Sequence, residues 1–495
     1  MGTTAQKLQN ILDAKADIGV ALEEKHAVVP QKFIDYGDAI RDIPQNEAPN
    51  PQNPIRFVDY DGTLLYSYGV QATLDLTDLP ELPERPGFTN QGWNYTLAQL
   101  KTQAQTIGKC IVGCNYITSD GKTRFYITIN DPKFKNFRLG LGQTAKNSYT
   151  IDWGDGSAVV GPFGQTGYTV RTHDYTPTSY PASYVITIAN NGGGTGKVSF
   201  PGAIVTSATG TGTPSSNSAT TQTTAQGSMF DKIEIGDIGP TLGNNALHWI
   251  TSVRTINIPK CVTSIGQATL AGWDAAKGII IPSSVTSIGQ QCFAYDYATE
   301  MISLPPTITT IPVYCFRNCR ALMELVMPYT ITSIGQQAFY ECGAMQDLRF
   351  PSAITSIGQE TFYNCAAIPT LVFDGNATIS GTKVFYGCNS LKSVNIPSNT
   401  TVIDDNEFYA CNTLQRLVFE GDITSIGAKS FYGCHGLRTI DFRNCTDIPQ
   451  LASDALTTLP TGAEIIIPDS LYGTWPSASN WSTLTNVVFT KASEA

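Results

Sequence analysis

The chain has 495 residues, enough for several domains, and only 15% of them are charged. Its net charge of −10 offers nucleic acid no attractive surface, so we expect no nucleic-acid partner. No apolar run approaches the about 18 residues of a membrane-spanning helix, and the start of the chain lacks the basic and apolar parts of a signal peptide, so we expect synthesis in a cytoplasm and no membrane insertion.

Residues 1–43 predict a small helical module. Apolar residues recur at helical spacing and form a stripe along one face: Leu8, Ile11, Ile18 and Leu22. A module of this size cannot bury a stable core alone, so the stripe must pack against a partner or against copies of itself. Residues 44–54, PQNEAPNPQNP, predict a stiff, extended linker.

Residues 55–200 predict a β-rich domain that opens with IRFVDYDGTLLYSY. A strand followed by D-x-D-G-T resembles the first motif of haloacid-dehalogenase-type phosphatases, in which Asp59 would be the nucleophile and Asp61 the acid/base. The helices between parallel strands, the later lysine and the acidic pair of that family are missing. We therefore interpret the segment as two strands joined by a tight Asp-Gly turn, with one short helix following within 92–108.

The stretch IDWGDGSAVV, followed by THDYTPTSYPASYVITI, resembles a polycystic-kidney-disease-type β-sandwich domain. The positions of that family's motif are occupied by Trp153, Gly154, Asp155, Gly156, His173 and Tyr175. Asp152 and Asp155 could be calcium ligands, but two carboxylates without a spaced third acid favour turn capping. Residues 201–230 are rich in Ser, Thr and Gly and predict a loop or linker.

Residues 231–446 repeat with a period of 23 residues. Such self-similarity indicates a solenoid, whose units bury their apolar faces by stacking on one another. One column is Thr263, Thr286, Thr309, Thr332, Thr355, Thr378, Thr401 and Thr424. Other columns are Phe293, Phe316, Phe339, Phe362, Phe385, Phe408 and Phe431, and Cys319, Cys342, Cys365, Cys388, Cys411 and Cys434. We expect these cysteines to be small buried residues; disulfides or a metal are the alternatives.

The unit T-x-I-G-x-x-x-F-x-x-C-x-x-L, with a strand ending in I-P or F-P, resembles the BspA-like leucine-rich repeat of bacterial surface proteins and phage virion proteins. The resemblance implies a mainly β fold: a leucine-rich-repeat solenoid preceded by a β-sandwich-like domain and a small helical module. It also implies one short strand per unit, with Phe and Cys inside. Residues 447–495 break the period and resemble the ending of such arrays, so we expect a cap.

The outward residues of successive strands change from unit to unit, which favours a recognition face over a plain solvated sheet. The candidate binding residues on it are Glu324, Gln346, Asp347, Arg349, Lys392, Asn395, Gln415, Arg416, Arg438 and Asp441. A tyrosine follows each of the last five inward Phe residues and would either stack with its neighbours or offer its ring to sugars. These tyrosines are Tyr340, Tyr363, Tyr386, Tyr409 and Tyr432.

No nucleophile, base and orienting group come together in a known catalytic pattern, so we expect no enzyme, cofactor or metal. Residues 1–43 resemble an N-terminal module of phage tail and other virion proteins. With the repeats, they imply a virion structural protein, tail-fibre- or baseplate-associated or receptor-binding, that is made in the host cytoplasm and located on the particle. A bacterial cell-surface adhesin is the alternative, followed by a head fibre or decoration protein. The implied partners are other virion proteins, a host surface protein or glycan, and copies of the chain, with a trimer expected.

Overall fold

The computed structural model describes residues 50, 52–143, 145–191, 196–200 and 228–495. The predicted helical module at 1–43, with Leu8, Ile11, Ile18 and Leu22, lies outside the described residues, as does most of segment 201–230. Within the described part of the chain, no helix is long and apolar enough to cross a membrane.

The first part of the fold, which we call the α/β layer, combines one sheet with two short helices. Its elements are β1 (Ile55–Val58), β2 (Leu64–Tyr68), α1 (Val70–Asp75), β3 (Phe88–Trp93), α2 (Leu97–Thr106) and β4 (Cys110–Thr118). The strand order is β2-β1-β4-β3. The predicted Asp-Gly turn is confirmed, because Gly62 at φ +87° joins β1 to the antiparallel β2. The parallel pairing of β1 with β4 was not expected from the sequence.

The predicted short helix is confirmed as α2, and its first turn explains where it begins. The Thr96 hydroxyl accepts a hydrogen bond from the Gln99 amide at 3.3 Å, and the Gln99 side chain accepts one from the Thr96 amide at 2.9 Å. This reciprocal capping box satisfies two amides that have no partner within the helix. Leu100 and Ala104 of α2 are then buried against the sheet, in one cluster with Phe57 and Trp93.

A β-sandwich follows, as the sequence predicts. Its strands are β5 (Thr123–Ile129), β6 (Asn136–Gln143), β7 (Tyr149–Asp152), β8 (Gly167–Asp174), β9 (Ala182–Asn190), β10 (Val198–Ser199) and β11 (Phe230–Glu234). They form the sheets β10-β6-β8 and β11-β5-β9-β7. Phe137 of one sheet meets Phe230 of the other with ring centroids 5.7 Å apart. Residues 231–234, predicted to begin the repeats, therefore belong to the sandwich.

Trp153 lies at the core of the sandwich, where the resemblance to polycystic-kidney-disease-type domains expects a buried Trp. It is 2% exposed, and the His173 ring stacks on it at 4.9 Å. The Tyr175 hydroxyl donates a hydrogen bond to the Trp153 carbonyl at 2.9 Å. Membership of that family stays a prediction.

The repeats build two ladders of parallel strands, of which the first is divided into three sheets and the second into two. One ladder contains β12 (Thr241–Leu242), β13 (Ser264–Ile265), β15 (Ser287–Ile288), β17 (Thr310–Ile311), β19 (Ser333–Ile334), β21 (Ser356–Ile357), β23 (Thr378–Ile379), β25 (Val402–Ile403), β27 (Ser425–Ile426) and β29 (Gln450–Leu451). The other contains β14 (Gly278–Ile280), β16 (Met301–Ser303), β18 (Glu324–Leu325), β20 (Asp347–Phe350), β22 (Thr370–Phe373), β24 (Ser393–Ile396), β26 (Arg416–Phe419), β28 (Thr439–Asp441), β30 (Ala463–Ile467) and β31 (Val487–Lys491). The prediction of one short strand per unit is wrong, because the T-S-I segment is itself a strand.

Both ends of the solenoid are covered. The sandwich continues into the ladders at the N-terminal end through the parallel bridges Phe200↔Leu242 and Ile233↔Ile256. At the other end, Trp475 and Trp481 pack on Phe442 with ring centroids 5.2 and 5.6 Å away. The predicted cap at 447–495 therefore covers the last core layer, and it also extends the sheet by β30 and β31.

The phenylalanine and cysteine columns lie inside the solenoid, as predicted. Successive Phe rings stack with centroids 5.2–5.7 Å apart. Each Cys thiol also donates a hydrogen bond, at 2.9–3.3 Å, to the carbonyl of the Phe of the preceding unit. Trp273 stands in the Cys column, and its indole N–H donates to the Leu247 carbonyl at 2.8 Å. The Cys side chains and Trp273 thus share a hydrogen-bond donor that points to a carbonyl of the preceding unit.

Two positions in each unit have a left-handed backbone. Their φ angles are 49–65° at residues other than glycine and 72–82° at Gly272, Gly387 and Gly433. The first column is Asn245, Ala268, Gln291, Tyr314, Gln337, Glu360, Lys383, Asn406 and Lys429. The second is Trp249, Gly272, Tyr295, Asn318, Glu341, Asn364, Gly387, Ala410 and Gly433. The segment around each inward Phe is thus a repeated pair of tight turns.

Two buried carboxyl groups in the described repeats are not held in an ion pair. Asp296 and Glu407 are at most 1% exposed, and burial raises the pKa of each well above its ordinary value. One oxygen of each accepts a backbone hydrogen bond, from Trp273 to Asp296 and from Val384 to Glu407. The other oxygen of each has no partner among the described residues. Each of these carboxyl groups therefore holds its proton more readily than an exposed carboxyl group does.

We predict that the six column cysteines resist thiol reagents in the native protein. They are buried, and burial raises the pKa of the Cys388 and Cys434 thiols to about 12, so little thiolate is present to react. A disulfide-exchange reagent should label the half-buried Cys261 first and all 12 cysteines after unfolding in guanidinium. Rapid native labelling of the whole column would contradict this packing.

We predict that Glu407→Gln stabilises the protein at pH 7 by about 1–3 kcal/mol, because an amide avoids the cost of protonating the carboxyl group on folding or of burying its charge. The sign of the pH dependence follows from the raised pKa of Glu407 in the folded state. The wild-type carboxyl contributes its full stability below the unfolded pKa of about 4.3 and loses it as the pH rises towards the folded pKa. The gain should therefore vanish near pH 4 in urea unfolding. Glu494→Gln, at a surface residue, is the control and should show no such gain.

Candidate binding surface

The candidate site is the outer face of a seven-stranded parallel sheet, from β20 to β31. Its inward residues, such as Leu348, Val394 and Leu417, are at most 3% exposed. The predicted binding residues Gln346, Arg349, Lys392, Asn395, Gln415, Arg416 and Arg438 are all exposed on the other side. Asp347 lies in the first strand of this sheet. The structure thus brings most of the predicted residues onto one surface.

Several polar residues of this face pair across neighbouring turns. Arg349 donates from Nε to Asp374 at 2.6 Å, and Asn395 donates to Glu420 at 2.7 Å. The prediction that Asp441 is exposed for binding is wrong, because it is 1% exposed. Its carboxylate is held by Arg416 at 3.1 Å and by Arg443 at 2.9 Å. Two guanidinium groups neutralise this buried charge, so Asp441 orients them and does not itself face a ligand.

The α/β layer covers the first strands of the same ladder. The Asn94 side chain donates to the Ile281 carbonyl at 3.1 Å and to the Ser303 hydroxyl at 2.9 Å. Tyr95 donates to the Leu304 carbonyl at 3.1 Å, and Gln103 donates to the Met327 carbonyl at 3.0 Å. Strands β14 and β16 are therefore closed to a ligand, and the free sheet begins near β18.

Close backbone approach lets the α/β layer sit on the repeats. A Cβ atom at Gly113 in β4 would lie 2.2 Å from Cγ2 of Ile280, a contact that no side chain tolerates. Around this point Val58, Ile111, Ile280 and Met301 form a separate apolar cluster. Apolar packing and hydrogen bonds therefore both hold the α/β layer against the repeats.

A cleft marks the border between the layer and the free sheet. It encloses about 350 Å³, with Asn53, Arg56 and Lys109 on one wall and Met323, Glu324 and Gln346 on the other. Glu324, predicted as a binding residue, forms an ion pair with Arg56 across it. The cleft was not visible in the sequence, because its walls come from segments more than two hundred residues apart.

The tyrosine column stacks as a ladder. Successive rings from Tyr340 to Tyr432 lie 4.6–5.3 Å apart with interplanar angles of at most 18°. The Arg317 guanidinium covers the first ring, Tyr340, at 4.6 Å. Each inner ring has both faces occupied, so a sugar could stack only at the Tyr432 end, where the residue is 40% exposed.

Comparison with protein families identifies the repeats. Residues 240–368 and 332–459 match the model of the BspA type leucine-rich repeat region, which is found in six copies. Residues 240–459 are a BspA-type leucine-rich repeat region. No curated protein sequence matches the chain. The family match agrees with the solenoid described above.

Several solved structures resemble the chain over about half its length. A leucine-rich repeat protein from Bacteroides ovatus is 22% identical, with 51% of this chain and 81% of that chain covered and a TM-score of 0.35. A leucine rich cell surface protein from Faecalibacterium prausnitzii is 23% identical, with 52% and 84% covered and a TM-score of 0.29. The pneumococcal vaccine antigen PcpA is 14% identical, with 51% and 66% covered and a TM-score of 0.36. These likenesses carry no information on function.

Outside the BspA-type repeats, the two acids of the phosphatase-like motif have structural roles. The Asp59 side chain is 0% exposed and forms an ion pair with Arg85. It also accepts hydrogen bonds from the Tyr60 amide at 2.8 Å and the Cys114 thiol at 3.1 Å. Asp61 accepts from the Thr63 amide at 2.9 Å and caps the turn. A substrate cannot reach the Asp59 carboxylate in this arrangement.

Asp152 and Asp155 each cap their own turn. Asp152 accepts from the Gly154 amide at 2.9 Å, and Asp155 accepts from the Ser157 amide at 3.0 Å and contacts His173 at 2.7 Å. Burial raises the pKa of Asp155, but the hydrogen bonds from Ser157 and His173 outweigh it and lower the pKa to about 2. Among the described residues, no group of three or more His, Cys, Asp or Glu could hold a metal ion.

Proposed function

We propose that this chain is a non-enzymatic recognition protein whose BspA-type repeats bind a macromolecule on a bacterial surface through the outer face of the sheet β20–β31. The observation that supports this is one continuous exposed sheet with buried, repeated inward residues and varied outward ones. Seven parallel strands at about 4.8 Å spacing present a face about 29 Å wide. A packed core holds this face rigid, so binding would need little ordering of the protein.

The setting that we propose is a phage particle. Residues 1–43 resemble a virion attachment module, and their apolar stripe of Leu8, Ile11, Ile18 and Leu22 would be buried against other virion proteins or against copies of the chain. The linker at 44–54 would then carry the remaining chain outward. In this setting the protein is part of the tail or another external appendage, as a trimer, and the host surface protein or glycan binds to the repeats.

A bacterial cell-surface adhesin is the second candidate, because BspA-like repeats resemble those of surface proteins as well as those of virions. A head fibre or decoration protein is the third. The location of the protein distinguishes them: antibody labelling should find a virion protein on purified particles, at the tail or at the head, and an adhesin on the envelope of uninfected cells.

We predict that Val372→Trp weakens binding of the labelled protein to host cells by about tenfold or more, because a bulky ring on the middle of the sheet blocks close contact. Val372 is 43% exposed in β22. The measurement is a titration of fluorescent protein on cells.

Val402→Trp is the matched control, since Val402 is 39% exposed but lies in the other ladder. It should change the affinity less than about twofold. If both substitutions reduce the affinity for cells equally, or if only Val402→Trp reduces it, the contact lies on a different surface. Thermal unfolding of both variants separates lost contact from lost fold.

We predict that deletion of residues 1–43 abolishes incorporation into particles and reduces the mass of the free protein to that of one chain, because the apolar stripe holds both contacts. Particle purification with quantitative blotting and light scattering measure the two effects. A fusion of residues 1–54 to an unrelated domain should be retained in particles. Full incorporation of the deleted chain would place the anchor elsewhere.

A further inference from the structure

One short stretch of the repeats differs from the rest of the surface. At the N-terminal ends of β24, β26 and β28, six exposed polar residues lie in two columns, three units long. We call them the amide–cation strip: Asn389, Asn412 and His435 in one column, and Lys392, Gln415 and Arg438 in the other.

The columns are consecutive rungs of the solenoid. The Gln415 amide donates to the Lys392 carbonyl at 2.8 Å, and the Arg438 amide donates to the Gln415 carbonyl at 2.9 Å. The Asn412 side chain donates to the Asn389 side chain at 3.4 Å in the other column. Lys392 and Arg438 are thus two strand spacings, about 9.6 Å, apart along the array.

The strip carries cations and amides and no acid, although the whole chain has a net charge of −10. Ala366 and Pro369 occupy the two columns in the unit before it, and Pro460 and Ala463 follow it. Arg416 stands beside Lys392, with its guanidinium held by the buried Asp441. The strip is therefore a bounded patch of positive charge with hydrogen-bonding amides between its cations.

We propose that the amide–cation strip binds an acidic polysaccharide, with Lys392 and Arg438 contacting carboxylates that lie two sugars apart and the amides contacting hydroxyl groups. This inference rests on the proposed function, since it names the ligand class for the same surface. Two strand spacings are comparable with the length of a disaccharide, so carboxylates two sugars apart along one polymer match both cations at once. Charge-assisted hydrogen bonds supply the affinity, and the amides supply the preference for sugars.

An acidic peptide fits the strip less well. The strands β24, β26 and β28 lie inside the sheet, so neighbouring strands already use their backbone N–H and C=O groups. A peptide therefore cannot add to this sheet as a further strand. The six residues of the strip are polar or charged, so they offer no apolar pocket to anchor a peptide side chain.

The test uses the full chain with polygalacturonate, a polymer of acidic sugars, as the probe. Calorimetry at low salt should show binding, and the double variant Lys392→Gln/Arg438→Gln should weaken it by about tenfold or more. The matched control Lys277→Gln/Arg320→Gln changes one exposed lysine and one exposed arginine elsewhere on the repeats and should stay within about twofold. Fully methyl-esterified polygalacturonate should bind at least about tenfold more weakly.

Three results would overturn the proposal: no binding of polygalacturonate by the wild type, unchanged binding by the double variant, or equally tight binding of poly-glutamate with the same dependence on Lys392 and Arg438. The last result would mean that any polyanion suffices. If the double variant still binds host cells as tightly as the wild type, the strip is not the receptor site, although the proposed function stands. Binding to cells that Val372→Trp leaves unchanged would count against the proposed function instead.

Discussion

The structure depends on one constraint: some backbone amides in each turn of the solenoid find their hydrogen-bond acceptors only in the next turn. The Phe316 amide bonds the Ala338 carbonyl at 2.8 Å in the next unit, and the Phe339 amide bonds the Thr361 carbonyl at 3.0 Å. A shift of one residue at these turns would leave the two buried amides without partners, at about 1–3 kcal/mol each. The period of 23 residues follows from this demand, and so does the need for a sandwich at one end and a tryptophan-rich cap at the other.

The same constraint separates the core from the surface. Phe rings recur because each stacks on an identical ring, and Cys thiols recur because each bonds a Phe carbonyl of the preceding unit, whereas the outward side chains of the free sheet meet solvent or an adjacent polar group. Substitutions at Lys392 or Asn395 therefore leave the stacking of units untouched. The uncovered outer face of that ladder therefore lies on the sheet from β20 onward, since the α/β layer already covers the first strands.

Much of the fold could be predicted from the sequence, because many of its features depend on local sequence patterns. The period, the inward Phe and Cys, the Asp-Gly turn after Val58 and the helix capped by Thr96 each depend on residues close together in the chain. The second ladder was missed because two-residue strands are too short for an alternating pattern. The buried position of Asp441, the ion pair of Glu324 with Arg56 and the pairing of β1 with β4 depend on partners brought together only by folding. No pattern within a short stretch of sequence indicates such partners.

The repeated left-handed positions and thiol–carbonyl bonds make the joints between the cysteine-bearing units chemically alike. Recombination between two similar units would therefore remove or duplicate a whole turn and leave a joint of the same kind. Each event would change the length of the array by one strand spacing, about 4.8 Å, without a new folding problem. The spacing of surface groups would change in the same discrete steps. Such an array can therefore acquire new distances between its surface groups by gaining or losing units, before any single residue changes.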